Sequence, residues 1–208
     1  MSLITSHFDI ILVGILFLGY MLLWAIKKKE LYQATGVDAD VIFRVARPIQ
    51  QYFGVLEHVM KLFLVVTLVC NFILPRHLFF VAQFFGEGAI SIKLIGFVFG
   101  LIGLLICRIA QITLGNSWRV GIDENAKPGL VQNGVYRFIR NPTYTGMYLV
   151  CVGAFILLPS LLVSYWILAF FIMLEFQVRC EEEYLQNKYG DDFIKYSKKT
   201  KRYIPWVY

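Results

Sequence analysis

Apolar residues are gathered into long blocks that polar segments separate. The apolar blocks cover residues 10–26, 55–74, 92–114, 143–158 and 161–176. A helix needs about 20 predominantly apolar residues to cross a bilayer. Only Pro159 and Ser160 separate the last two blocks. The pattern therefore predicts an all-α fold, a polytopic membrane bundle of about five transmembrane helices, with spans four and five in a tight hairpin.

The segments beside these spans carry further predictions. Residues 41–51 are typical of a short surface helix, and residues 76–91 form a connection with an aromatic patch. Residues 175–189 predict a charged C-terminal helix, which Gly190 ends. Three glycines of the third span lie close to one helical face and favour tight helix packing. They are Gly96, Gly100 and Gly103.

The second span carries polar residues in its first two turns, Glu57, His58 and Lys61. These side chains lie either at the membrane interface or along a polar cavity inside the bundle. The sequence alone does not decide between the two.

Composition supports a membrane protein. Hydrophobic types make up 58% of the 208 residues and charged types 16%, whereas a soluble domain is about 25% charged. Mean hydropathy is +0.64. The length fits one integral membrane domain, 1–208, in which residues 1–94 hold the first two spans and residues 95–208 form the core that carries the polar chemistry.

The net charge is +6, and most of the lysines and arginines lie in segments between or after the spans. Segments 27–54, 108–142 and 179–208 hold five, five and seven lysines and arginines, respectively. Cytoplasmic loops carry such an excess, so we expect the N-terminus outside and the C-terminus in the cytoplasm. A bacterial inner membrane and the endoplasmic reticulum both fit. Because the basic residues lie at the ends of apolar blocks, we expect no nucleic-acid partner.

The four cysteines are scattered and form no CxxC pair. They suit small buried hydrophobic side chains better than a disulfide or a zinc site. We therefore expect no metal ion.

The start of the fourth span is the first candidate site. Asn141 and Pro142 are typical of a helix entry, with Asn as the cap and Pro at the first helical position. Free amide groups would then lie next to Arg140 and Tyr144. The alternative is a well-capped helix whose Tyr and Arg merely anchor in the headgroups.

Three consecutive carboxylates after the fifth span are the second candidate. Glu182 and Glu183 can both reach Arg179 at helical spacing and suit exposed pairs. Glu181 instead lies on a mostly apolar face, where a carboxylate is costly unless it meets a cation or hydrogen-bond donors. It is either an interfacial carboxylate turned to water, or a partner for a cationic ligand group or for Arg140.

These segments resemble a known family. Residues 140–146, Arg-Asn-Pro-Thr-Tyr-Thr-Gly, are similar to the Arg-His-Pro-x-Tyr-x-Gly signature of the isoprenylcysteine carboxyl methyltransferase family, and related phospholipid N-methyltransferases share the general pattern. The stretch from Glu181-Glu182 to Ile204-Pro205 looks like the family's C-terminal stretch. Upstream, residues 114–118 and 130–136 also fit. The resemblance covers roughly residues 95–206.

The resemblance implies a membrane-embedded methyltransferase that uses S-adenosylmethionine and a membrane lipid or lipid-modified acceptor entering from the bilayer. It implies these cofactor-binding residues: Gly129, Leu130, Val131, Tyr136, Asn141, Pro142, Tyr144 and Glu181. The residues expected at the chemistry are Arg140, Tyr144 and Glu181. Gln177 and Arg179 are the substrate-binding candidates, although the family's eukaryotic members place an Arg where Gln177 stands. Asn141 replaces the signature His and cannot titrate.

The chemistry of these residues suits that cofactor. Its carboxylate could use the amides at the start of helix four and Arg140. Its ammonium or ribose hydroxyls could meet Glu181, and Tyr136, Tyr144 or Trp118 could stack on adenine or face the sulfonium.

Two other classes stay open. Sterol reductases have a similar C-terminal region but use NADPH, for which Arg137 and Arg140 would be the basic residues. A non-enzymatic membrane protein, such as a scaffold or small transporter, is the other. For a methyltransferase, the acceptor could be an isoprenylcysteine carboxylate, a phospholipid amine, a small thiol or a quinone-like lipid.

Overall fold

The computed structural model describes residues 7–42, 48–73, 90–122 and 129–207. Within these ranges the chain forms six α-helices. They are α1 (Phe8–Thr35), α2 (Pro48–Ile73), α3 (Ile90–Leu114), α4 (Pro142–Leu157), α5 (Leu161–Tyr189) and α6 (Asp191–Lys199). Short 3-10 helices cover Gly115–Ser117 and Gly134–Arg137. The predicted all-α fold is confirmed.

Helices α1, α2, α3 and α5 are each long and apolar enough to cross a membrane. Helix α4 is apolar but has only 16 residues, fewer than the about 20 that a perpendicular span needs. The turn at residues 158–160 joins α4 to α5 as predicted, and the Ser160 hydroxyl accepts a hydrogen bond from the Val163 amide at 3.2 Å. Large apolar side chains such as Leu18 and Leu62 are exposed on the outside of the bundle, as lipid-facing side chains must be. The chain is an integral membrane protein.

Several helix boundaries differ from the sequence prediction. The second span begins at Pro48, seven residues earlier than expected, and Val41 and Ile42 are not helical. The predicted surface helix over 41–51 is therefore wrong for its described residues, since its last part belongs to α2 and residues 43–47 lie outside the described residues. The connection predicted at residues 76–91 lies outside them except for Ile90 and Ser91, and its aromatic patch lies wholly outside them. The fifth span and the charged helix that follows it are one continuous helix, α5.

Glycines bring α3 and α4 into direct backbone contact. A Cβ atom added to Gly103 would lie 2.5 Å from the Gly146 carbonyl oxygen, and one added to Gly153 would lie 2.5 Å from that of Gly96. No side chain fits at such distances. The predicted glycine face of the third span therefore packs within the molecule, and it fixes α4 against α3.

The remaining core lies where α1 and α2 meet the hairpin. Leu16 of α1 is fully buried in a cluster with Val150, Ala154 and Leu157 of α4. On the other side, the Trp166 indole donates to the Met60 carbonyl at 2.8 Å and joins α5 to α2. These contacts hold the four helices around a central space.

Candidate active site

A cavity of about 380 Å³ opens among helices α1, α2, α4 and α5. One part is apolar and includes Trp166, Phe170 and Met173 of α5. The other part is polar and includes residues of both candidate segments. These are Arg140, Asn141, Tyr144, Gln177 and Glu181. The fold thus brings the start of the fourth span and the end of the fifth onto one cavity.

Glu181 meets donors from two helices. The Tyr144 hydroxyl donates to its Oε1 at 2.7 Å, and the Gln177 side-chain amide donates to the same oxygen at 2.8 Å. Gln177 lies one turn before Glu181 on α5, so helical spacing fixes the second contact. The predicted alternative partner Arg140 does not pair with Glu181. The carboxylate on the apolar face is held by neutral donors.

Arg140 pairs with Glu182 instead. Its Nε donates to Glu182 Oε1 at 2.9 Å, and Arg202 donates to Glu182 Oε2 at 2.7 Å. The side chains of Arg140 and Glu182 are each only 13% exposed. The sequence interpretation of Glu182 as an exposed partner of Arg179 is therefore wrong. Arg179, on the outside, pairs with Glu175 at 2.9 Å.

Arg140 also holds the C-terminal segment, residues 200–203. Its Nη1 donates to the carbonyls of Ser197 and Thr200 at 3.1 and 2.6 Å. Its backbone amide donates to the Lys201 carbonyl at 2.8 Å. Because Nε and Nη1 both donate to groups of the protein, Arg140 joins the start of α4 to α5 and to this segment.

Asn141 begins helix α4 differently from a standard cap. Pro142 occupies the first turn as predicted, but the Asn141 side chain makes no capping bond. Its Nδ2 instead donates to Glu182 Oε1 at 3.2 Å, and its backbone amide donates to the Arg202 carbonyl at 3.1 Å. The backbone amides of Arg140 and Asn141 are thus already bonded within the protein.

The other predicted residues divide into two groups. Tyr136 is buried and lines the cavity, and its carbonyl accepts from the Tyr196 hydroxyl at 2.7 Å. Burial raises the pKa of the Tyr136 hydroxyl above its ordinary value. The remaining predicted residues do not line the cavity, although the described part of the chain includes them. They are Gly129, Leu130, Val131, Pro142 and Arg179.

The sequence left two polar residues of the cavity lining undecided and did not single out two others. Glu57 and Lys61 of α2 line the cavity and pair with each other at 2.7 Å. The Lys61 ammonium lies 5.8 Å from the ring centre of Trp24 on α1. Their occurrence inside an apolar block was the available signal, and the structure decides for the cavity. Arg119 and Lys188 add two further cations to the lining.

Across the described residues, no group of three His, Cys, Asp or Glu side chains could hold a metal ion. The polar side chains at the cavity are instead suited to an organic ligand, because they combine two carboxylates, Glu57 and Glu181, with several cations and aromatic rings.

Known proteins resemble this chain in sequence and in fold. Residues 91–192 match the family model described as phospholipid methyltransferase. The protein-S-isoprenylcysteine O-methyltransferase of Xenopus laevis is 28% identical over 120 residues, which cover 56% of this chain and 41% of the relative. The protein-S-isoprenylcysteine O-methyltransferase A of Arabidopsis thaliana is 28% identical over 116 residues, which cover 54% of this chain and 58% of the relative. The relative from Schizosaccharomyces pombe is 30% identical over 112 residues, covering 51% and 46%.

A solved structure shares the fold. It is that of a eukaryotic intramembrane Ras methyltransferase, isoprenylcysteine carboxyl methyltransferase, without a monobody. The match has a TM-score of 0.58 at 20% identity, and covers 94% of this chain and 68% of the other. The chain spans about half the length of the curated relatives it matches.

The fold defines a helical integral membrane protein whose cavity has a polar part at one end of the bundle. Over its C-terminal half this chain is similar to the phospholipid methyltransferase family and to protein-S-isoprenylcysteine O-methyltransferases.

Proposed function

We propose that this protein is an S-adenosylmethionine-dependent methyltransferase that acts on a hydrophobic or lipid-borne acceptor. One observation carries the proposal: the signature residues Asn141 and Tyr144 and the carboxylate of Glu181 line the polar part of a cavity whose other part is apolar. A polar cofactor and a hydrophobic acceptor need such a divided site. The family and its curated relatives support the same reaction class.

The residues present fit this cofactor. A cavity of about 380 Å³ lies within the range of about 300–1,000 Å³ that is common for small-molecule sites. Glu181 is suited to an ammonium group or ribose hydroxyls, and Arg119 and Lys188 are suited to a carboxylate. The rings of Tyr136 and Tyr144 can face adenine or a positively charged sulfur. When bound, S-adenosylmethionine supplies an electrophilic methyl group on a sulfonium.

The roles of this chain's residues follow from their contacts. Tyr144 and Gln177 orient the Glu181 carboxylate by donating to Oε1. Arg140 is a positioning residue, because it holds Glu182 and the C-terminal segment in place. Asn141 cannot accept a proton as the family's His could, so proton removal by this side chain is not part of the proposal.

The apolar lining excludes water from the reaction. Methyl transfer spreads the positive charge of the donor, and a dry site favours such a transition state. The main demand is to align the nucleophile, the methyl carbon and the sulfur. Trp166, Phe170 and Met173 give the acceptor an apolar wall that confines its approach.

The proposed topology follows from charge. The basic residues around the polar part of the cavity support a cytoplasmic position for it, with the N-terminus outside, by the positive-inside rule. The cofactor then enters from the cytoplasm and the acceptor from the bilayer. Gln177 stays a proposed substrate contact because it lines the cavity. Arg179 does not line it and pairs on the exposed face of α5.

Isothermal titration of the purified protein with S-adenosylmethionine tests cofactor use. We expect saturable binding by the wild type and a loss of at least tenfold in affinity for Glu181→Gln, since a charge-assisted contact is removed. Glu183→Gln is the matched control, because it is the same change two residues along α5 on an exposed side chain. Absence of binding by the wild type, or binding of NADPH in its place, would refute the proposal.

A labelling experiment identifies the acceptor. The wild type and Glu181→Gln are incubated in native lipid with cofactor that carries an isotopic methyl group, and lipids and small thiols are analysed by mass spectrometry. We expect label in a lipid-soluble product with the wild type only. Label in neither fraction would contradict methyl transfer even if the cofactor binds.

A further inference from the structure

Apolar side chains are exposed at the C-terminal end of the described residues. Ile204, Trp206 and Val207 are 53%, 85% and 71% exposed. They form a turn in which the Val207 amide donates to the Ile204 carbonyl at 3.2 Å. Neighbouring apolar residues of the same region, Phe193 and Tyr203, are by contrast buried. The turn is therefore an apolar projection on an otherwise packed segment.

Contacts of Tyr203 fix the level of this turn along the bundle. Its ring meets the ring of Tyr148, in the second turn of α4, at a centroid distance of 5.2 Å. Its hydroxyl donates to Glu175 Oε2 at 2.6 Å. Glu175 lies at the end of the apolar part of α5, and its neighbour Phe176 is 60% exposed. The turn thus begins where the lipid-facing surface meets the charged end of the molecule.

Hydrogen bonds hold the C-terminal segment at this level of the helix bundle. Arg202 donates to Glu182 at 2.7 Å, and the amides of Arg140 and Asn141 donate to the carbonyls of Lys201 and Arg202. The Thr145 hydroxyl donates to the Tyr203 carbonyl at 3.0 Å. Exposure of Trp206 is therefore built into the fold, because residues 201–203, just before the turn, are held by α4, α5 and the residues that precede α4.

Positive charge flanks the turn. Lys198, Lys199 and Lys201 are all exposed. The acidic residues of α6, Asp191 and Asp192, lie at its other end, about 10 Å away at 1.5 Å per residue. Aromatic side chains prefer the headgroup level of a bilayer, and lysines just outside it attract anionic lipids.

We propose that residues 198–207 form a membrane-anchoring surface that binds the headgroups of anionic phospholipids. Trp206 and its apolar neighbours enter the interface, and the lysines contact lipid phosphates. Since Arg202 joins this surface to Glu182, and Asn141 shares that carboxylate, anionic lipid also stabilises the polar wall of the cavity. The inference does not depend on the proposed function, because lipid contact is measured without any turnover.

Quenching of Trp206 by brominated lipids tests this surface. The full chain is placed in bilayers of phosphatidylcholine with phosphatidylglycerol, and either one lipid or the other is brominated at the same mole fraction. The Trp206 signal is the difference between the wild type and Trp206→Phe. We expect Trp206 to be quenched, and more strongly by brominated phosphatidylglycerol.

Substitution of the lysines separates a specific surface from overall charge. Lys198→Gln/Lys199→Gln removes two charges, and Lys29→Glu changes the net charge equally on an exposed lysine of α1. Each lysine near an anionic surface strengthens binding about fivefold, so the double variant should lose the preference and Lys29→Glu should keep it. Absent quenching, equal quenching by both lipids, or loss of the preference with free inorganic phosphate would overturn the proposal.

Discussion

Replacing Glu182 with glutamine tests whether the ion pairs of Glu182 with Arg140 and Arg202 hold the C-terminal segment. The substitution preserves the shape of the side chain and removes its charge. In the wild type, Glu182 accepts from Arg140 at 2.9 Å, from Arg202 at 2.7 and 3.1 Å, and from Asn141 at 3.2 Å. Glutamine leaves two guanidinium groups facing each other across a neutral amide.

The burial of the three side chains sets the magnitude. Those of Arg140 and Glu182 are each 13% exposed, and that of Arg202 is 19% exposed. An exposed ion pair contributes only about 0–1 kcal/mol, whereas removing one partner of a fully buried pair costs about 3–5 kcal/mol. Since this network lies between those limits, we expect Glu182→Gln to lower the free energy of unfolding by about 2–3 kcal/mol.

Reversible unfolding in mixed micelles measures this free energy, and limited proteolysis reports release of the C-terminal segment. Glu183→Gln provides the control, because Glu183 is exposed and such a change should stay within about 0.5 kcal/mol. If both variants unfold with the same free energy and resist protease equally, Glu182 does not hold the segment, and its ion pairs contribute nothing measurable to the free energy of unfolding.

Two further predictions follow from packing and from a buried hydroxyl. Gly103→Ala should destabilise the protein by about 1–3 kcal/mol, since its Cβ would lie 2.5 Å from the Gly146 carbonyl oxygen; Gly14→Ala, which has nothing within 4 Å, should not, and equal melting temperatures would contradict the close contact. Burial raises the pKa of Tyr196 to about 12. The stabilisation by the protonated Tyr196 hydroxyl, which includes its bond to the Tyr136 carbonyl, is therefore complete below about pH 10. It is lost as pH rises through the higher value. Tyr196→Phe should therefore weaken the alkaline loss of stability in a pH titration of unfolding, and an unchanged slope would refute this.

The helices were predictable because the side chains of a long apolar block must be covered by lipid or by other helices. The hairpin turn at Pro159 and Ser160, the close packing of the third span and the end of α5 before Gly190 are all present. The start of α2 was not predictable, since the polar residues before Val55 give no apolar signal. Tertiary contacts extend that helix to Pro48, where Gln50 is fully buried and accepts from the Ile122 amide.

The candidate site was predictable in its segments and less so in its contacts. The sequence brought attention to Asn141, Tyr144 and Glu181, and all three line the cavity. It gave the wrong partner for Glu182, because helical spacing relates that residue only to neighbours on α5. Glu57 stayed ambiguous between interface and cavity, since nothing local states what lies opposite α2.

By itself, the sequence determined the membrane spans, the hairpin and the two polar segments that carry the signature, because each depends on residues close together in the chain. Only the tertiary structure decided which of three successive carboxylates faces the cavity and which holds the C-terminus. Arg140 and Arg202 are 42 and 20 positions from Glu182. The energy of a buried carboxylate depends on such distant partners, which local periodicity does not specify.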